Sequence, residues 1–203
     1  MTADWRQIQW TFEANVAETR LALDMGVVAG ATCFVDNITL VATGLAGPQP
    51  VELLPNGGFE LGDGDDFTDW TKLNAADLMK QTTNPGEVRN GAKALRAVGF
   101  GTDHWRTQLR SATMATVVGK RYTASFWIKA DASSPGVGGI VRMSTAGNSS
   151  PQYQDDATVS AEWQEIEWTI TATGTETAIV LDLGKTENAV YFIDDASFME
   201  LPD

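Results

Sequence analysis

The sequence predicts an all-β fold, an antiparallel β-sandwich. Short stretches alternate apolar and polar residues with a period of two, as strands do when one face is buried. Turn residues such as Gly86, Gly91 and Gly119 recur between these stretches. No stretch keeps a helical period with caps at its ends, and residues 75–81 are long enough for one turn only. Many short strands separated by turns are typical of a sandwich.

Four stretches justify the strand prediction, taken in chain order. Each alternates, so that one set of side chains is predicted to face the core while residues such as Val180 and Asp182 face outward. The core-facing sets are Tyr122, Ala124, Phe126 and Ile128 in residues 121–129; Ile166, Trp168 and Ile170 in 164–170; Ile179, Leu181 and Leu183 in 178–184; and Phe192, Asp194, Ala196 and Phe198 in 192–198.

A repeat divides the chain. Residues 5–41 align without a gap to residues 163–199, with 13 of 37 positions identical. We therefore interpret residues 1–42 as the C-terminal strands of a truncated preceding copy, with Trp10, like its counterpart Trp168, in a core. Residues 43–50 are rich in Gly and Pro and are predicted to be a linker. Residues 51–203 are then one complete domain.

Composition excludes several functions. The formal net charge of −13, without a basic stripe, disfavours nucleic acids and anionic membranes as partners. Cys33 is the only cysteine, so an intramolecular disulfide and a cysteine-based metal site are excluded. No apolar run reaches the length of a membrane-spanning helix. Residues 1–20 lack a charged start followed by an apolar stretch, so we expect no signal peptide in this chain.

An ordered set of motifs carries a family resemblance. The motifs are NGGFELG (56–62), DW (69–70), HWRTQL (104–109), GKRYTASFWIKA (119–130), WQEIEWTI (163–170), LDLG (181–184) and FIDDASF (192–198). Together they resemble the carbohydrate-binding modules of families 4, 9 and 22, which are β-jelly-rolls appended to bacterial polysaccharide-degrading enzymes. The resemblance covers residues 54–200 and, as a tail, 5–41; such modules often occur in tandem.

The resemblance implies a function. A module of this kind is non-catalytic, binds β-glycan chains of the xylan or β-glucan type by aromatic stacking and hydrogen bonding, and holds an attached glycoside hydrolase against polysaccharide. It also implies a secreted or cell-surface location, as part of a larger bacterial protein. The alternative is a structural or adhesive β-sandwich domain that mediates protein contacts in a secreted assembly. Bare strands in residues 1–42 would also be expected either to pair with a neighbouring chain, which is self-association, or to lie against the intact module.

A structural calcium ion is implied as well. In the resembling modules the Asp of the FIDDASF motif and the Glu of the NGGFE motif hold this ion, which assigns Asp194 and Glu60 here. The turn from Asn90 to Lys93 would supply a carbonyl or side-chain oxygen, in keeping with the hard-oxygen chemistry of Ca²⁺. The alternative is a carboxylate capped by backbone N–H groups or paired with a lysine. The acidic loop 62–66 is a weaker candidate because it lacks the EF-hand spacing.

Trp105 is the first candidate for the ligand site, because the resemblance places a sugar-stacking Trp there and sugar rings present flat C–H faces. Strict alternation with Leu109 would turn Trp105 inward, whereas a loop beginning at residues 104–106 would leave it exposed. Tyr153 is the second aromatic candidate, and Asp182 is a predicted outward acceptor for hydroxyl groups. The full set is Trp105, Tyr153, His104, Arg106, Gln108, Asp182, Arg142 and Asn74; the alternative for each polar member is a solvated surface.

The sequence does not predict an enzyme. A glycosidase needs two carboxylates facing each other across the scissile bond. Glu162, Glu165 and Glu167 have the wrong spacing, since they fall on a turn and one outward face. His104 is the only histidine, and no G-x-S-x-G nucleophile motif is present.

Overall fold

The computed structural model describes residues 7–12, 21–23, 29–30, 32–39, 50–147 and 150–202. The chain forms two compact units, Met1–Leu45 and Ala46–Asp203. Residues 43–49 of the predicted linker lie outside the described residues.

All strands of the described residues belong to the second unit. They are β1 Trp70–Asn74, β2 Met79–Thr82, β3 Ala94–Val98, β4 Gln108–Ser111, β5 Met114–Ala115, β6 Arg121–Ala130, β7 Ile140–Ala146, β8 Ala157–Thr158, β9 Gln164–Thr171, β10 Glu176–Asp182 and β11 Val190–Glu200. Two single-turn 3₁₀ helices, Ala76–Leu78 and His104–Arg106, lie between strands. Within the described ranges, no helix has the length and apolar character needed to cross a membrane.

The strands form two sheets. Sheet I has the order β1-β4-β10-β7-β8, with β5 also paired to β10, and sheet II has the order β2-β3-β11-β6-β9. Every strand pair in both sheets is antiparallel. The prediction of an all-β, antiparallel β-sandwich is therefore confirmed.

The core lies between the two sheets, and the core-facing sets predicted in β6, β9 and β10 are confirmed, although Val180 and Asp182 on the other face of β10 are buried too. Tyr122 stacks on Phe198 with ring centroids 5.1 Å apart, and both are fully buried. Trp168 is partly buried and packs against the cluster of buried core residues. Burial of each large apolar side chain stabilises the fold by about 1.5–3 kcal/mol. The core residues predicted from β6, β9 and β10 are Tyr122, Ala124, Phe126, Ile128, Ile166, Ile170, Ile179, Leu181 and Leu183.

The prediction for residues 192–198 is wrong in one respect. Phe192 and Asp194 pair with Lys129 and Trp127, on the side of sheet II away from the core, whereas Ala196 and Phe198 belong to the core cluster. A register shift between Asp194 and Ser197 separates the two halves of β11, and Asp195 has a φ of 47°. This bulge adds a residue and reverses the alternation. Asp194 is nevertheless fully buried.

The first unit carries none of its predicted strands in the residues described, 7–12, 21–23, 29–30 and 32–39. Trp10 is 73% exposed, and Ile8 and Phe34 are exposed too, so the prediction of Trp10 as a core residue is wrong. A strand needs neighbours to complete its hydrogen bonds and cover its apolar face, and the described residues of this unit supply none. The origin of residues 1–42 in a preceding copy stays a prediction.

Candidate functional site

Four polar residues line up across the outer face of sheet I, the face turned away from the core. The strand register places Asn74 opposite Gln108, Gln108 opposite Asp182, and Asp182 opposite Arg142. Directly opposed residues of antiparallel strands project to the same side of the sheet. Four side chains from β1, β4, β10 and β7, far apart in sequence, therefore lie side by side.

Hydrogen bonds join these side chains into one network. Asn74 Nδ2 donates to Gln108 Oε1 at 3.0 Å, and Gln108 Nε2 donates to Asp182 Oδ1 at 2.5 Å. Arg142 Nε donates to Asp182 Oδ2 at 3.2 Å. We call these four residues the polar row.

Asp182 does not present its carboxylate to the solvent, contrary to the sequence prediction. It does face away from the core, but only 1% of its surface is exposed. Both of its oxygens accept hydrogen bonds, from Gln108 and Arg142. A buried carboxylate is stable only when paired and hydrogen-bonded in this way. Asp182 therefore holds Gln108 and Arg142 in place, and these two half-buried side chains are the ones within reach of a ligand.

Tyr153 stands at one end of the polar row. It pairs with Ser144 as an isolated bridge, and the backbone of residues 152–154 hydrogen-bonds to β7. The Arg142 guanidinium carbon lies 4.5 Å from the centroid of the Tyr153 ring. Tyr153 is 58% exposed, so its ring offers an aromatic surface whose position is fixed by the row.

Trp105 stands at the other end. The 3₁₀ turn His104–Arg106 interrupts the strand alternation, and Trp105 is 51% exposed. Asn74 Nδ2 donates to the Trp105 carbonyl at 2.9 Å, and the Arg106 guanidinium carbon lies 4.4 Å from a Trp105 ring centroid. Asn74 and Arg106 thus position the turn and the indole, in agreement with the interpretation that a loop begins here.

Phe100, which the sequence analysis missed, is exposed beside Trp105. The two rings border an open depression of about 410 Å³. Its lining residues are Asn74, Ala75, Asp77, Leu78, Phe100, Trp105 and Arg106. The aromatic residue within the Gly99–Gly101 loop was the available signal, since a Phe flanked by glycines in a loop has no strand to bury it.

The side chain of His104, one of the candidate binding residues, is mostly buried and contacts an acidic residue; its role in binding stays a prediction. Its side chain is only 12% exposed, and Nε2 lies 2.7 Å from Asp156 Oδ1. Asp156 also approaches Lys185 Nζ, at 4.0 Å. The contact ties the turn that carries Trp105 to the segment that follows Tyr153.

Arg110 is a second residue of this face that the sequence analysis missed. It follows Gln108 by two positions on β4 and therefore projects to the same side. Its register neighbours are Thr71 and Val180, and Val180 is in turn opposite Ser144. The Nε atom of Arg110 is buried and has no hydrogen-bond partner in the part of the chain that the structure describes.

The predicted metal ligands meet around the loop at residues 89–93. Glu60 Oε1 accepts the backbone N–H groups of Ala92 and Lys93, at 2.8 and 3.1 Å. Asp194 Oδ2 accepts those of Arg89 and Asn90, at 3.0 and 3.1 Å. The two carboxylates therefore hold this loop against β11.

The Asp194 carboxyl has a raised pKa. Burial raises the pKa of its carboxyl, the neighbouring Asp195 acts in the same direction, and the N–H donors of Asn90, Asp195 and Arg89 oppose the shift. The Asp195 carboxylate forms an ion pair with Arg89.

The role of Asn90 and Lys93 as oxygen ligands stays a prediction. Both residues turn their backbone N–H groups to the carboxylates, and Asn90 Oδ1 accepts from the N–H of Gly91. No cluster of three or more His, Cys, Asp or Glu side chains able to share a metal ion forms among the described residues. The contacts are those of the alternative, carboxylates capped by N–H groups. Glu60 and Asp194 have the oxygen chemistry that Ca²⁺ requires, and calcium stays a prediction.

The face of sheet I suits a ligand with flat apolar surfaces and many hydroxyl groups. Tyr153 and Trp105 supply rings for such surfaces, and Gln108 and Arg142 supply polar groups between them. No pair of accessible carboxylates lies along the described row, because Asp182 is its only acidic member and is buried.

Comparison with known proteins identifies related sequences and structures. Residues 51–188 match a family described as a carbohydrate binding domain. The chain is similar to TmCBM61, solved in complex with β-1,4-galactotriose: 16% identity, TM-score 0.54, covering 74% of this chain and 99% of that one. It is also similar to the CBM22-1 xylan-binding domain from Paenibacillus barcinonensis: 15% identity, TM-score 0.52, covering 75% and 94%.

Enzymes are also among the similar structures. A cyclase from Fischerella sp. TAU is 12% identical, with a TM-score of 0.52, covering 75% of this chain and 98% of that one. At such identities the structural matches establish the sandwich fold alone. No curated protein gives a significant match to the sequence.

Proposed function

The chain belongs to the carbohydrate binding domain family, and from that premise we propose that residues 51–203 bind β-glycan chains of the xylan or β-glucan type on the outer face of sheet I. The family match covers residues 51–188. Binding uses stacking on Trp105 and Tyr153 and hydrogen bonds from the polar row, and it leaves the sugar chemically unchanged.

One observation carries the proposal: the polar row runs between two exposed aromatic residues. Measured across the strands, Asn74 and Tyr153 are four strand spacings apart, about 19 Å at about 4.8 Å each. That length accommodates several sugar rings in line. Aromatic rings stack on the C–H faces of sugars, while amide and guanidinium groups donate to their hydroxyls.

The site geometry also supports a binding role without catalysis. Glycoside hydrolysis needs an acid and a second carboxylate about 5–10 Å apart on either side of the bond. On the described outer face, Asp182 is the only carboxylate in the polar row. It is buried, and its two oxygens already accept hydrogen bonds from Gln108 and Arg142. From the family resemblance we also propose that the module targets an attached glycoside hydrolase in a secreted or cell-surface protein.

The alternative function, a domain for protein contacts, is favoured by one observation. Ile8, Trp10 and Phe34 of the first unit are exposed apolar side chains, and exposed apolar groups of this kind mark association surfaces when they are contiguous. We therefore propose, as a second function, that residues 1–42 mediate self-association.

Isothermal titration tests the glycan proposal. The chain is titrated with oligosaccharides of xylan, laminarin, cellulose, mannan and β-1,4-galactan. We expect at least one to bind, and we expect Trp105→Ala and Tyr153→Ala to weaken that binding about tenfold, as loss of a central aromatic contact does. Trp163→Ala is the matched control, because Trp163 is a half-buried Trp that contacts Lys129 of sheet II. Absence of binding to every glycan, or equal effects of all three substitutions, would contradict the proposal.

A further inference from the structure

We propose that Arg110 binds a carboxylate group of the ligand, so that the site on sheet I recognises a glycan carrying uronic acid residues. The role of Arg110 rests on the proposed glycan-binding function and specifies the ligand class within it.

The first observation is that the charge of Arg110 is uncompensated. Arg142 is paired with Asp182, Arg106 with Asp103, and Arg89 with Asp195. Within the described residues no ion pair joins Arg110 to a carboxylate, and its Nε is buried without an acceptor. Because the guanidinium group has no carboxylate partner among the described residues, an acidic ligand that reaches its accessible end gains charge-assisted hydrogen bonds.

The second observation is the position of Arg110 on the site. The residues opposite it, Thr71 and Val180, and the next along the same line, Ser144, offer no carboxylate. That line ends at Tyr153, three strand spacings away, or about 14 Å. Arg110 also lies two residues from Gln108 in the polar row. A sugar chain stacked on Tyr153 and Trp105 therefore passes within reach of the guanidinium group.

The chemistry of the group selects a carboxylate. Arg110 is half-buried, and the tip of such a side chain is the part that stays at the surface. A guanidinium binds a carboxylate through two parallel N–H···O bonds, which are about twice as strong as those to a neutral hydroxyl. Because Asp182 neutralises Arg142, the polar row and Arg110 together carry one net positive charge, that of Arg110. The acidic remainder of the protein is screened beyond about 8 Å at physiological ionic strength.

The test compares forms of one oligosaccharide, the backbone that binds best in the titrations above. The full chain is titrated with the neutral oligosaccharide, with the same backbone carrying glucuronic acid, with the carboxyl-reduced product of that compound, and with a sulfated form. We expect the glucuronic acid form to bind about tenfold more tightly than the neutral and carboxyl-reduced forms, and this preference to fall as salt is raised.

Two substitutions assign the preference to Arg110. Arg110→Gln removes the preference for the glucuronic acid form, whereas Arg96→Gln, the matched loss of a half-buried cation on sheet II, retains it. Thermal melting checks that each variant is folded. If Arg110→Gln does not fold, Arg110→Lys decides, because lysine keeps the charge but loses the two-pronged geometry and is expected to reduce the preference severalfold.

The possible outcomes distinguish a failure of the carboxylate site from a failure of glycan binding. Equal affinity for the acidic and neutral forms, or an unchanged preference in the Arg110 variants, overturns the carboxylate site and leaves glycan binding intact. A sulfated form that binds as tightly as the glucuronic acid form overturns the assignment to a carboxylate. If no oligosaccharide binds, glycan binding and the role of Arg110 are both wrong.

Discussion

Asp182 is the centre of the polar row, and Asp182→Asn measures how strongly its charge stabilises the fold. The carboxylate is 1% exposed, while the Arg142 side chain is 24% exposed. Breaking a fully buried ion pair costs about 3–5 kcal/mol, and exposed pairs contribute about 0.2–1 kcal/mol. Since one partner is buried and the other is partly solvated, we expect a coupling of about 1–3 kcal/mol. Asn retains an oxygen that accepts from Gln108 but loses the charge that faces Arg142.

The assay is urea unfolding of the wild type, Asp182→Asn, Arg142→Gln and the double variant, combined as a double-mutant cycle. The exposed pair of Asp103 and Arg106, whose Oδ2 and Nε atoms lie 3.8 Å apart, is the matched control, and its cycle should give less than about 1 kcal/mol. A coupling free energy between Asp182 and Arg142 no larger than that of the control would contradict the stabilising role of the buried charge.

Three further predictions concern the metal, the first unit and a close backbone approach. If calcium binds at Glu60 and Asp194, EDTA lowers the melting temperature and added Ca²⁺ restores it, because an ion that binds only the folded state stabilises it; an unchanged melting temperature would leave the N–H groups as the only partners. Light scattering of the full chain and of residues 46–203 should show association only in the full chain; identical monomers would contradict the role of residues 1–42. Gly184→Ala should lower the free energy of unfolding by about 1–3 kcal/mol, because its Cβ would lie 2.5 Å from the Thr107 nitrogen. Gly86→Ala, where the nearest atom is a side-chain oxygen 3.7 Å away, should change it by less than about 0.5 kcal/mol; equal effects of the two substitutions would contradict the steric argument.

The fold could be predicted where a strand itself contains no bulge. β6 pairs with β9 in unbroken register from Arg121 to Ile128, so alternation alone identifies the core face of Tyr122 and Phe126. In β11 the same reasoning was wrong from Phe192 to Asp194, because the bulge beside Asp195 depends on a backbone conformation that the apolar pattern does not encode.

The sequence predicted which residues belong to the site, but it did not predict which of them are exposed. Alternation correctly places Asp182 away from the core, yet its burial depends on Gln108 and Arg142, which lie 74 and 40 positions away in sequence. Alternation also left Trp105 undecided between the core and the surface, because only the 3₁₀ turn at its position settles the direction. Arg110 was missed because an unpartnered cation is recognised by the absence of neighbours, which only the folded structure provides.

An NMR titration of the full chain with the oligosaccharide that binds most tightly tests the position of the glycan site most directly. If the outer face of sheet I is the glycan site, the backbone amide shifts of β4, β7 and β10, of residues 104–106 and of Tyr153 change with the occupancy measured by calorimetry. Amides of the outer face of sheet II, around Trp127 and Lys129, should not change. Shifts confined to sheet II, or none at saturating oligosaccharide, would contradict the placement of the site.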